Sequence, residues 1–129
     1  MREVSVKEVF ELLDLAVADR GEDFVYEKSD TTFCMNFHGD EPGCIVGWVF
    51  HHLGVTGEQA NDCQANKTDA RNAYYNLGGT RQFNMSEDGL DVLLCAQSCQ
   101  DNGDSWGEAV AQTRTWASLR PRLKEAIDA

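Results

Sequence analysis

Residues 43–55, GCIVGWVFHHLGV, decide how this chain folds. Apolar side chains fall on every face of a predicted helix over about 44–53, a pattern that is typical of a buried helix. Gly54 follows the last apolar position, where glycine commonly ends a helix. We therefore expect this segment to be the buried central helix of the fold.

Helical periodicity and capping patterns predict further helices on both sides of this segment. Ser5 and Ser105 each begin an S-x-x-E pattern, in which the serine caps a helix and the glutamate bonds back to its first turn. Apolar residues at helical spacing follow them and predict helices over about 6–19 and 106–118. A third helix is predicted over about 87–101, and the short Asn-Gly connection to the next one indicates an αα-hairpin.

Residues 24–28 and 32–37 have the composition of β-strands, because aromatic and β-branched residues are enriched there. A Ser-Asp pair between them favours a turn, so we predict a β-hairpin that ends in a loop over 38–43. The expected fold class is α+β and mostly helical, with this hairpin packed on a bundle of four to five helices. Residues 1–129 are expected to form one globular domain with a loosely attached tail over about 120–129.

The chain is strongly acidic, with a formal net charge of -11. Residues 1–62 carry 13 acidic and 4 basic side chains. Binding to nucleic acid depends on cationic side chains, so no direct contact with nucleic acid is expected, and a basic protein is the better partner. The sequence has neither a secretory signal pattern nor an apolar run long enough for a membrane span, which favours a cytoplasmic protein without membrane contact.

Cys44 is the first candidate for chemistry, because a thiol at a helix N-terminus can have a lowered pKa. His38, on the preceding loop, is the histidine that could reach it as a base. The segment resembles the cysteine helix of papain-like cell-wall peptidases, in which a cysteine opens a buried helix that ends in Leu-Gly. That family has Ser-Gly directly after its cysteine, where this chain has residues 45–47, IVG. It also has a later catalytic histidine, and no histidine follows His52 here.

A metal site is the second candidate for chemistry, since Cys34, His38 and Cys44 are suitable ligands at moderate spacing. Cys95 and Cys99 lie four apart on one face of a predicted helix. However, a Cys-x2-Cys pair, which WhiB-like iron–sulfur proteins and familiar structural zinc sites require, is absent from the sequence. We therefore expect no cofactor, and reduced cysteines that pack as small apolar groups.

Three segments carry a resemblance to small proteins of actinobacteria and their phages. They read PGCIVG at 42–47, LGV at 53–55 and AQSCQDNGDSWGEA at 96–109. The likeness covers about residues 24–115, and it implies a prokaryotic or phage cytoplasm. No activity is established for that group, so the resemblance implies no catalytic residue.

These features favour a protein-binding domain over an enzyme. Aromatic side chains are common at the centres of interfaces, and the candidates here are Trp106, Trp116, Tyr74 and Tyr75. The expected function is a small acidic regulatory protein, such as a phage accessory factor that binds a basic host protein. The alternatives are a cysteine hydrolase centred on Cys44, a metal-binding regulator and a nucleic-acid mimic.

Overall fold

The computed structural model describes residues 2–27 and 36–128 of the chain. Most of these residues lie in helices, and the fold is the mostly helical α+β class that the sequence predicts. The helices are α1 (Val6–Arg20), α2 (Ile45–His52), α3 (Gly57–Asp62), α4 (Ala70–Leu77), α5 (Glu87–Asp101), α6 (Trp106–Ser118) and α7 (Pro121–Asp128). The strands are β1 (Arg2–Val4), β2 (Phe37–His38), β3 (Glu41–Pro42) and β4 (Phe83–Met85).

The strands form two small sheets of two strands each. Strand β1 pairs in parallel with β4, and Arg2 lies opposite Phe83. Strand β2 pairs antiparallel with β3, and Phe37 lies opposite Pro42. The first sheet joins the start of the chain to the segment before α5, so it ties together parts that are far apart in sequence.

The β-hairpin occupies a later part of the chain than the sequence predicts. Residues 24–27 form no strand, residues 28–35 lie outside the described part of the chain, and the hairpin lies within 37–42, mostly in the predicted loop. Phe24 instead packs edge-on against Trp106, and its carbonyl accepts the Trp106 backbone N–H at 2.8 Å. The aromatic side chain of Phe24 therefore packs against α6, and its residue is not part of a paired strand.

Helix α2 is the buried centre of the fold, as the sequence predicts. Its first six residues, Ile45 to Phe50, are all buried. Helix α1 packs against it on one side, and α5 packs against both of these helices. These six residues carry apolar side chains on every face because protein surrounds this part of the helix, whereas His51 and His52 at its end are exposed.

Helices α5 and α6 form the predicted αα-hairpin, and their packing against each other is the most extensive between any two elements described. Ser86 and Ser105 cap them, each accepting a backbone N–H three residues later. Helix α7 then returns across α1 and α6, with Leu123 buried between them. Helix α6 consequently has α5, α1 and α7 as neighbours and keeps one long side exposed.

Candidate binding groove

Cys44 lies at the start of α2 in a closed environment. The residue is fully buried and disulfide-bonded, and its sulfur lies 3.1 Å from the side-chain oxygen of Asn36. The first N–H of the helix, from Ile45, is accepted at 2.8 Å by the side chain of Gln100. A buried sulfur in a disulfide is not a nucleophile, so this arrangement gives no support to a cysteine hydrolase. The expectation that every cysteine is reduced is wrong for Cys44.

His38 has its own partner on the surface. Its Nε2 atom lies 2.8 Å from the hydroxyl of Tyr26, and the ring of Tyr26 is largely buried. The side-chain hydrogen bond of His38 is with Tyr26, and that of Cys44 is with Asn36. The two residues of the proposed catalytic pair, Cys44 and His38, therefore have different partners.

The proposed metal ligands do not form a site within the described residues. Cys34 lies outside them, and within residues 2–27 and 36–128 no three histidine, cysteine or acidic side chains are grouped to hold a metal ion.

Cys63, Cys95 and Cys99 are free and partly buried. Burial raises the pKa of the Cys99 thiol, and the neighbouring Cys95 and Asp104 add to this effect. This shift favours the protonated form of the Cys99 thiol.

The four aromatic candidates for protein binding divide between core and surface. Trp106 is fully buried, and its indole N–H donates to Gln100 at 3.0 Å. Tyr74 is also buried, and its hydroxyl accepts the backbone N–H of Met85 at 3.0 Å. These two side chains hold the core together and are not available to a partner. Trp116 is partly buried and Tyr75 is 52% exposed, so both present atoms to solvent.

A groove of about 770 Å³ runs between the second half of α1 and the first half of α6. The turn that follows α1 crosses the start of α6 and positions one end of this α1–α6 groove. There the carbonyl of Glu22 accepts the N–H of Gly107 at 3.0 Å. A side chain at Gly107 would meet that carbonyl at 2.8 Å, so glycine permits the close crossing. Sequence reasoning missed this groove, because no local pattern reports the approach of two helices about 85 residues apart.

The α1–α6 groove is lined by both aliphatic and acidic side chains. We call its aliphatic lining residues the floor, namely Val17, Ala18, Val110 and Ala111. We call its carboxylates the acidic rim, namely Asp14, Glu22, Asp23 and Glu108. Arg114 is the one basic residue among the lining residues, and its guanidinium bonds Asp14 at 2.5 Å while lying over the ring of Phe10. Four acids and one base give the lining a formal charge of -3.

This combination suits a ligand that carries both positive charge and apolar surface. A low-polarity floor between carboxylates strengthens their attraction for a cation that covers it, because water is displaced from around the charges. Phosphate groups would be repelled by the same rim. Carboxylates beside apolar side chains are the chemistry that recognises lysine and arginine side chains, whose long methylene stems cover apolar surface.

No helix among the described residues is long and apolar enough to cross a membrane. Comparison of the chain with protein-family models, curated proteins and solved structures finds no match.

Proposed function

We propose that this chain is a protein-binding module whose α1–α6 groove accepts a basic segment of a partner protein. The observation that carries the proposal is the acidic rim around an apolar floor, built from α1, the turn after it and α6. The groove is open along its length, so an extended or helical segment can enter it from the side.

Electrostatic attraction would draw the partner toward the groove. Complementary charge raises association rates, and salt screens this attraction over about 10 Å at 0.1 M ionic strength. Contacts with Val17, Ala18 and Ala111, which present apolar surface to solvent, would then slow dissociation, because water leaves the apolar surface on both sides. We therefore expect an affinity that falls as salt is added but does not vanish.

A peptide segment is favoured over a nucleic-acid mimic. A mimic would present carboxylates in rows at the spacing of phosphates, whereas the carboxylates of the groove share its lining with four aliphatic side chains. A second acidic depression, which includes Asp40, Glu58 and Asp62, lacks such a floor. That depression therefore offers charge without apolar contact, and it serves as an internal control for the groove.

From the sequence resemblance, we further propose that the chain is a phage-encoded accessory factor in the host cytoplasm and that its basic partner protein is encoded by the host. The acidic lining of the groove supports a positively charged partner.

A selection from a displayed library of random peptides tests the proposal, with the full chain as bait. Peptides of about 16 residues, which as helices would be about 24 Å long, can span the groove. Selected peptides should be rich in lysine and arginine. Their binding, followed by fluorescence anisotropy, should weaken about tenfold in the variant E22Q/D23N/E108Q, which removes three rim charges and keeps side-chain size.

The matched control is the variant D40N/E58Q/D62N, which removes the same number of charges from the second depression. It should bind the selected peptides within about twofold of the wild-type affinity, because these carboxylates lie outside the lining of the groove and salt screens exposed charges. Selection of peptides without excess positive charge, equal weakening by both variants, or no enrichment of any peptide would each contradict the proposal.

A further inference from the structure

The C-terminal half of α6 exposes a row of side chains that continues the α1–α6 groove. Ala111 lines the groove, and it also lines a shallow depression of about 440 Å³ with Gln112, Thr115, Trp116 and Leu119. We call these five residues the α6 stripe. Leu119 is 76% exposed, the largest value among the exposed large hydrophobic residues described.

The α6 stripe has the spacing of a helical contact surface. Ala111, Thr115 and Leu119 follow one another at intervals of four residues, which span about 12 Å along the helix axis. Trp116 lies beside them and is partly packed against the core, so its position is fixed. Isolated exposed leucines are ordinary on protein surfaces, whereas Leu119 shares a depression with Trp116, and tryptophan is enriched at interface hot spots.

The charge around α6 changes sign along its length. Its first turn lies at the acidic rim, near Glu22 and Glu108. Its last turn is followed by Arg120, whose guanidinium lies 4.3 Å from the centre of the Trp116 ring and bonds the Trp116 carbonyl at 3.0 Å. A ligand that covers the whole of this surface must therefore be basic over the groove and neutral or acidic over the stripe.

We infer that the occupant is an amphipathic helix of the partner, with lysine or arginine residues over the α1–α6 groove and a large apolar side chain over the α6 stripe. This inference rests on the proposed function, since the groove holds the basic end. The two surfaces meet at Ala111, so a helix crossing that residue contacts both. Such a helix presents anchors about one turn apart, which matches the interval of the stripe.

Two other occupants fit these observations less well. A second copy of this chain would bring a net charge of -11 toward an acidic rim, and the two copies would repel each other. An extended strand needs a sheet edge with free backbone groups, whereas the surface here belongs to two helices. Charge and backbone chemistry therefore both favour a basic helix.

Peptides from the displayed-library selection test this inference on the full chain. Their consensus should place a large apolar residue at helical spacing from the basic cluster. Circular dichroism should show added helix when peptide and protein are mixed. The variant Leu119→Ser should weaken binding about tenfold, which corresponds to about 1.4 kcal/mol.

The matched control for this variant is Leu15→Ser, which alters an exposed leucine of α1 that lines neither surface. It should leave the affinity unchanged. Serine in place of the peptide's apolar residue should weaken binding to the wild type, and it should have little further effect on Leu119→Ser, since the two changes remove the same contact.

Failure of the inference and failure of the proposed function give different results. Binding that depends on the rim charges but not on Leu119, or that occurs without added helix, overturns the inference and leaves the groove as a site for basic peptides. Binding that ignores the rim charges overturns both. A Leu119→Ser variant with altered melting temperature is replaced by Leu119→Gln, which keeps more of the side-chain bulk.

Discussion

Gly47 allows helix α2 to lie directly against the backbone of Asn36. A methyl group at this position would come within 1.6 Å of the Asn36 carbonyl oxygen, far inside van der Waals contact. Further bonds hold the same segment, since the Asn36 side chain donates to the carbonyl of Ala65 at 2.6 Å and the Asn36 carbonyl accepts the N–H of Gly43 at 2.8 Å. The backbone around Asn36 therefore has little room to move away.

The variant Gly47→Ala should be destabilised by about 3 kcal/mol or more, because overpacking a rigid backbone contact exceeds the usual cost of extra core volume. In an exposed helix the same change would stabilise by about 1 kcal/mol through helix propensity. Urea denaturation followed by tryptophan fluorescence measures the difference. The control Gly79→Ala adds a methyl group where nothing lies within 4 Å, and it should stay near wild type. Equal stability of the two variants would contradict the close approach.

Gln100 caps helix α2 from a distant part of the chain, and no local sequence pattern predicts this contact. Its side-chain oxygen accepts the first N–H of α2 and the indole N–H of Trp106, and the residue is buried. Cys44 occupies the N-cap position of α2 without capping it through its side chain, so a residue 55 positions beyond Ile45 supplies the missing acceptor. Capping by a neighbour in sequence can be predicted, whereas capping by a distant glutamine depends on the packing of α5 against α2.

At the scale of elements, helices α4 and α5 are joined by a group of polar side chains at their surface. Glu87, in the first turn of α5, accepts hydrogen bonds from the hydroxyl of Tyr75 and from the guanidinium of Arg71. Arg71 also bonds Asp91 one turn further along α5. The hydrogen bond from Tyr75 and the one from Arg71 lower the pKa of Glu87 below its usual value.

This lowered pKa predicts a contribution to stability that acid removes. Because the charged form is favoured in the folded state, the contribution is present above the unfolded pKa near 4.5 and is lost as the pH falls through the folded value. Between about pH 5 and pH 3, the melting temperature of Glu87→Gln should therefore fall less steeply than that of the wild type. Tyr75→Phe should also reduce the slope, because it removes the larger cause. An unchanged slope in Glu87→Gln would contradict the role of Glu87.

At the scale of the whole molecule, net charge opposes folding. With 22 acidic and 11 basic residues, the folded chain concentrates negative charge that the unfolded chain spreads out. Five ion pairs among the described residues are exposed or partly exposed, and such pairs contribute little stability. Repulsion should therefore dominate the electrostatic part of the stability.

Sodium chloride should raise the melting temperature of the chain, because screening weakens this repulsion. The variant E22Q/D23N/E108Q should start from a higher melting temperature at low salt and respond less to added salt, since it has three fewer negative charges. Differential scanning fluorimetry across a salt series measures both effects. A melting temperature that falls with added sodium chloride would show that attractive pairs outweigh the repulsion.

Local periodicity and capping patterns were enough to predict part of this fold. They predicted the mostly helical α+β class, the buried helix near 44–53 and the αα-hairpin of α5 and α6, because apolar spacing and serine caps act over a few residues. The pairing of β1 with β4, the capping of α2 by Gln100 and the α1–α6 groove depend instead on tertiary packing. Each of these brings together residues far apart in sequence, and their meeting depends on how all the helices pack around α2 rather than on any pattern within one segment.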